Sequence, residues 1–241
     1  MRFVIDDPVG SASVFVSNET MSSQATLIAE PLARAGRPTR EQAEARHAAL
    51  LDRALDHFLE RGFEQATIEA IAADVSMTKR TVYARHRDKA ALFLAAMRRG
   101  IEAFAVSGER IAQTRVEDLE QTLINIARLR IDLVRSPHGM KLQRIINTES
   151  YRFPSIFTTY FDVATRPTVR FLADLFQAET EAGRLAIEEP WMAANAFLSM
   201  VVSGPVRIIT SGNPLGEADL DHGLDFTVKL FLQGARPRPA S

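Results

Sequence analysis

Apolar residues recur along this chain with the period of a helix, and no stretch alternates long enough to argue a strand. Leu51, Ala54, Leu55 and Phe58 fall at helical intervals, and Gly62 closes that run. Thr39, with Gln42 three residues on, has the spacing of a capping box and predicts where this first helix begins. Ile68, Ile71, Ala72 and Val75 trace a second face behind Thr67, a good N-cap. Thr78 caps a third helix, and Asp88 a fourth that runs through Leu92, Phe93, Ala96, Met97 and Ile101.

Beyond Ser107 the helical period continues. It predicts helices over Val116–Val134, Met140–Tyr151, Pro167–Thr180, Pro190–Ile209 and Glu217–Leu232, separated at Pro137, Pro154, Gly183 and Pro214. The fold class is therefore all-α. The polar run Ser17–Gln24 and the lack of any sustained period make residues 1–38 a disordered arm, with Met21 a second candidate start. The expected organisation is a helix-turn-helix domain over 39–92, a larger helical domain over 93–234 and a flexible tail over 235–241.

Composition narrows the function. With 46% hydrophobic residues in 241 the chain can build a substantial core, and with no cysteine it has neither disulfides nor thiolate chemistry. No basic segment followed by an apolar run opens the sequence. The nearest approach to a membrane span, Ala193–Thr210, is interrupted by Pro205 and Arg207, so a soluble cytoplasmic protein is expected. The net charge of −1 conceals an uneven distribution: residues 34–99 hold thirteen Lys and Arg against nine Asp and Glu. A local basic footprint of this kind suits nucleic acid.

The footprint concentrates in Lys79-Arg80-Thr81-Val82-Tyr83-Ala84-Arg85, which follows a short helix and a turn. Val82 and Met77 can pack on Ile68, Ile71 and Val75, leaving Lys79, Arg80 and Arg85 outward, as a DNA-reading helix requires. Lys79 and Arg80 are the candidates for base edges, since both donate to guanine and Arg does so bidentately. Thr78, Thr81, Tyr83, Arg85 and Lys89 are candidates for phosphate, and Thr67 opens a second helix whose first amides can hold an anion.

Residues 46–93 resemble the amino-terminal domain of TetR-family transcriptional regulators. The matching pieces are Leu51, Ala54, Phe58 and Gly62-Phe63, then Thr67 with Ile71-Ala72, then Lys79 to Tyr83, and finally Asp88-Lys89 with Leu92-Phe93. The resemblance implies a homodimer that places each third helix in a major groove of an operator. It further implies a helical carboxy-terminal domain that dimerises and binds a small effector. Two positions depart from the family pattern: Ser76 stands where Gly is usual in the turn, and His86 where an aromatic normally closes the small core. Upstream, Gly36-Arg37-Pro38 is similar to the core of minor-groove arms, which makes Arg37 a further DNA candidate.

In the carboxy-terminal half, Arg152-Phe153-Pro154, Gly183-Arg184-Leu185 and Glu189-Pro190-Trp191 look like the AcrR- and AefR-like branch. The helix around Phe197 and Val201 is apolar almost all round. With Phe171, Leu172, Leu175 and Phe176 it is expected to build the dimer bundle that the family uses. His138, Met140, Tyr151, Phe157, Tyr160 and Phe161 are candidate pocket residues, though each taken singly fits ordinary core packing better than ligand contact. No catalytic residue set emerges, the five histidines are scattered without metal-ligand spacing, and no cofactor motif is present. Asp219, Asp221, His222 and Asp225 read as acidic residues at a helix start. The leading reading is a ligand-responsive repressor. The alternative is a helical small-molecule-binding protein without specific DNA recognition.

Overall fold

The computed structural model describes residues 39–212 and 215–237, and all regular structure among them is helical. The expected arm over 1–38, Arg37 included, lies outside the described residues. Side-chain caps set the first four helices where the sequence places them. Thr39 accepts from the amide of Gln42, whose side chain accepts in turn from the amide of Thr39 at 3.1 Å, opening α1 (Arg40–Gln65). Gly62, at φ 76°, takes the left-handed conformation that bends α1 before its last turn. Thr67, Thr78 and Asp88 each accept from the amide three residues on and open α2 (Ile68–Asp74), α3 (Lys79–Tyr83) and α4 (Lys89–Phe104).

The remainder comprises α5 (Gly108–Ala112), α6 (Leu119–Arg135), α7 (Pro137–Glu149), α8 (Pro154–Tyr160), α9 (Arg166–Glu181), α10 (Pro190–Leu198), α11 (Gly204–Thr210) and α12 (Glu217–Ala235). The expected break at Pro154 is present: α7 ends at Glu149 and Pro154 opens α8. The sequence reading has no helix between that break and Pro167, where α8 runs and joins α9 through a π-helical turn at Phe161–Thr165. A second π-turn at Ser199–Ser203 carries α10 into α11, so Pro205 sits inside a continuous helical run. The cause is shared. Pro167 and Pro205 each lack an amide and crowd the carbonyl four residues back, at Val163 and Val201. Those carbonyls lie inside the two π-turns, where a widened turn lets the helix continue past a proline.

Pro190–Thr210 is consequently long and apolar enough to cross a membrane by length and composition, and only 28% of its most apolar window is buried in the protomer. It packs along α9 as a bundle helix, with much of its surface left uncovered.

Two apolar clusters hold the fold together. The first joins Phe58 of α1, Ile71 of α2, Val82 of α3 and Phe93 of α4 to Leu142 and Ile146 of α7 and Ile156 of α8. Phe58 and Phe93 are fully buried with ring centroids 4.8 Å apart, and truncating either to alanine removes about 3–5 kcal/mol. The packing thus continues across the expected boundary at 92/93, because α4 serves both sides of it. The second cluster gathers Leu123, Ile126, Phe176, Phe197, Leu224 and Val228 from α6, α9, α10 and α12.

Candidate nucleic-acid interface and effector cavity

The helix-turn-helix is built as the apolar pattern requires. Ile68, Ile71, Ala72 and Val82 are buried, which turns Lys79, Arg80, Thr81, Tyr83 and Arg85 to the surface. The turn uses Ser76 at φ 52°, the one left-handed non-glycine among the described residues. The amides of Ser76 and Met77 donate to Ala73 and Ala72, so the turn is closed despite its side chain. His57, buried on α1, holds the Asp74 carboxylate at 2.9 Å and pins the end of α2. That bond, helped by Arg53 and Arg61, keeps the Asp74 carboxyl below the usual carboxylate range.

Not every candidate cation is free. Lys79 is ion-paired with Glu69 of α2, and its ammonium lies 5.8 Å from the Tyr83 ring centroid. The carboxylate raises the Lys79 pKa, and the same bond lowers that of Glu69. Thr78 and Thr81 share a hydroxyl–hydroxyl bond of 2.9 Å at the helix start. Lys89 donates to the carbonyl of Glu64 at 2.8 Å and sits 4.7 Å from the Phe63 centroid, at the edge of the domain. Arg80 and Arg85 are exposed and appear in no ion pair among the described residues. Thr67 is exposed with its hydroxyl spent on capping.

Two contacts gave no signal in the sequence. His86 is buried and meets His47 of α1, Nε2 to Nε2, at 3.0 Å. Arg152, in the α7–α8 connection, pairs with Glu64 and covers Phe63, its guanidinium carbon 4.6 Å from the ring centroid.

In the carboxy-terminal half a cavity of about 440 Å³ opens among α6, α7, α8, α10 and α11, within the range of small-molecule sites. Phe157, Tyr160 and Phe161 line it as the sequence leads one to expect. Tyr151 does not; it is 94% exposed and borders an adjoining cleft that shares Phe157 and Tyr160 with the cavity. His138 and Met140 are exposed at the start of α7 and line neither space, because the apolar face of that helix is carried by Leu142, Ile145 and Ile146. The polar residues that do line the cavity, Arg130, Gln143, Asn147, Asn195 and Arg207, were not singled out by the sequence reading.

Of the expected dimer residues, Leu172, Leu175, Phe176, Phe197 and Val201 are buried in the protomer's own second cluster, and Phe171 packs against it while partly exposed. Trp191, Met192, Met200 and Ile208 along α10–α11 stay exposed, as do Phe226 (63%) and Leu230 (53%), one turn apart on α12.

Comparison with known proteins matches these two halves separately. Residues 50–96 match the family of bacterial regulatory proteins named for TetR, and residues 121–234 match the AefR-like transcriptional repressor carboxy-terminal domain. No curated protein matches the chain. Among solved structures, a candidate TetR-family regulator from Mesorhizobium loti is 21% identical, covering 83% of this chain and 100% of its own at a TM-score of 0.67. The flavonoid-responsive regulator FrrA is 26% identical, with 81% and 100% covered and a TM-score of 0.63. A Saccharomonospora viridis protein solved in complex with choline is 18% identical, with 82% and 100% covered and a TM-score of 0.58. A helix-turn-helix with its basic third helix outward, joined to a helical carboxy-terminal domain and matched over both halves, makes the chain a DNA-binding member of the TetR family of transcriptional regulators.

Proposed function

We propose that this protein is a homodimeric, ligand-responsive repressor acting in the cytoplasm on a near-palindromic operator. Each protomer puts α3 into a major groove, with Lys79 and Arg80 on base edges and Thr67, Thr78, Thr81, Tyr83, Arg85 and Lys89 on the backbone. Arg37 serves in the adjacent minor groove. Repression is supported by the match of residues 121–234 to a repressor family. A small-molecule effector is supported by the cavity and by related structures, one described as flavonoid-responsive and one carrying choline.

The observation that carries this reading is the unbroken apolar core from α1–α4 into α7 and α8. Helices that line the cavity pack directly on the helices that position α3, so an effector that prefers one arrangement of α7 and α8 biases the spacing of the two α3 helices. The bias equals the effector's differential affinity for the two arrangements. The partner surface is assigned to α10–α11 and α12, where Met192, Met200, Ile208, Phe226 and Leu230 leave large apolar side chains exposed.

The test is fluorescence anisotropy of the purified protein on its own upstream DNA and on scrambled DNA across a salt series. Tight, salt-dependent binding to the upstream sequence alone is the expected result. Equal weak binding to both, together with failure to enrich any sequence in a genome-wide selection, would leave a small-molecule-binding protein without DNA specificity.

A further inference from the structure

We propose that the cavity takes an aromatic organic anion, its acid group held by Arg130 and Arg207 and its ring by Phe157, Tyr160 and Phe161. This rests on the reading of the cavity as the effector site.

The argument begins with Arg130. It occupies the buried stripe of α6 in register with Leu123, Ala127 and Val134, a position an apolar residue would ordinarily hold. It is only 4% exposed, lines the cavity and has no acidic partner among the described residues. Its Nη1 donates to the carbonyl of Ala164 at 2.8 Å, and its side chain forms no other hydrogen bond among the described residues. A guanidinium carries five donors and stays charged at any physiological pH. Withdrawing such a charge from water with one neutral acceptor is costly, and that cost is recovered when an anion arrives.

The rest of the cavity agrees in sign. Arg207, at its rim on α11, also has no carboxylate partner among the described residues, and no described Asp or Glu lines the cavity. Gln143, Asn147 and Asn195 supply neutral amides, so the charged groups among the lining residues are both cations. Three aromatic rings on α8 and the first π-turn form one wall, suited to a flat apolar body. A cation meets two guanidiniums there and is repelled by both.

Both π-turns border this cavity: Phe161 and Thr165 come from the first, Ser199, Val202 and Ser203 from the second. The Ala164 carbonyl that fixes Arg130 belongs to the first π-turn. The sequence therefore spends two widened turns and a buried cation on one site, and π-turns concentrate where function needs an irregular backbone.

The experiment uses the full chain and isothermal titration with benzoate, salicylate, cinnamate and 2-naphthoate, each paired with its own neutral carboxamide, and with choline. The expected result is saturable binding of at least one acid, about tenfold or more tighter than its amide. That binding is lost by a similar factor in Arg130→Gln and in Arg207→Gln. Arg207 is exposed, so its variant keeps the test valid if Arg130→Gln does not fold, as thermal melts of both will show. An amide or choline that binds as tightly as the acids, absence of binding by all four acids, or full acid affinity in both variants would overturn the anion assignment. The two readings separate on DNA: a neutral compound that releases operator DNA leaves the effector site standing and sinks the anion class. An acid that binds through the two arginines without changing DNA affinity does the reverse.

Discussion

The imidazoles of His47 and His86 lie ring over ring, 5.2 Å between centroids, with their Nε2 atoms 3.0 Å apart, and join the start of α1 to the end of the helix-turn-helix. One Nε2 must donate and the other accept, so the pair accommodates two neutral rings or a single proton but not two charged rings. Burial lowers both pKa values below 6.5, reinforced at His47 by Arg85 and Arg99 and at His86 by His47 and Arg85. Arg99 is itself paired with Asp52 of α1, at 3.0 Å, so its charge is partly answered.

In the unfolded chain both rings titrate near 6.5, so below that pH the unfolded state binds more protons than the folded one. The stability is fully present above the unfolded value and is lost as pH falls beneath it. Thermal melts should be level from about pH 8 to 7 and decline from about 6.5 to 5, above the range where carboxylates titrate. His86→Phe should remove most of that decline. A variant with the same pH profile as the native chain would show that the pair is not its source.

Ser76 tells a related story about the turn. At φ 52° it pays the left-handed cost that Gly avoids, and it is exposed, so no packing offsets the cost. Ser76→Gly should stabilise the protein by about 1 kcal/mol, and Gly62→Ala, at φ 76° and ψ 172° with open space around it, should destabilise by about 1–3 kcal/mol. Paired urea titrations check both signs. If Ser76→Gly were neutral, the serine side chain would have to gain elsewhere what its backbone loses.

The four caps at Thr39, Thr67, Thr78 and Asp88 were legible in the sequence because a cap is a local bond between residues three apart. The buried face of the helix-turn-helix was legible for the same reason: Ile71 and Val82 need only helical periodicity. What resisted reading was long-range or depended on sign. Pro154 separates α7 from α8 as its place in the sequence suggests, but α8 itself and the π-turns before Pro167 and Pro205 depend on packing that apolar spacing does not report. The apolar surround of Phe197 does not say whether a partner or the same chain covers it, and here the chain does. Arg130 does leave a trace in the sequence, a cation in an apolar register.

On DNA, Arg80 and Lys89 should separate by the kind of contact they make. Arg80→Ala is expected to cost roughly 1–3 kcal/mol on the operator and relax its specificity. Lys89→Ala is expected to weaken all sequences alike and reduce the salt slope by about one. Glu69→Gln should tighten binding, because Lys79 no longer has to leave an ion pair before it meets a base. Anisotropy on operator and scrambled DNA at several salt concentrations reads all three. Silence of the first two together would place the recognition helix elsewhere.

The dimer assignment now rests on different residues. Phe226→Glu with Leu230→Glu puts two charges on an exposed ridge of α12, at no cost to either apolar cluster. Sedimentation should show the native dimer becoming a monomer, while the circular dichroism spectrum is unchanged. Operator affinity should fall by orders of magnitude, since one α3 per molecule then remains. A double variant that sediments as the native chain does would move the interface off α12.

Arg152 is the residue best placed to carry the effector's signal. It sits between α7, which brings Gln143 and Asn147 to the cavity, and α8, which brings Phe157 and Tyr160. Its guanidinium covers Phe63 and pairs with Glu64, while the adjacent Phe153 ring meets Phe63 at 5.0 Å and Phe93 at 5.2 Å. Arg152 and Glu64 are both exposed, so the ion pair itself adds little stability. Arg152→Ala should therefore leave the melting temperature and the effector-free DNA affinity nearly intact. What should shrink is the ratio of DNA affinities with and without effector, a coupling of about 1–3 kcal/mol in allosteric proteins generally. Measuring that ratio from both directions, effector affinity with DNA bound and free, guards against error, because the two must agree. An undiminished ratio in the variant would leave the coupling to the apolar contacts of Phe153 alone, and Phe153→Leu would then be the change that reduces it.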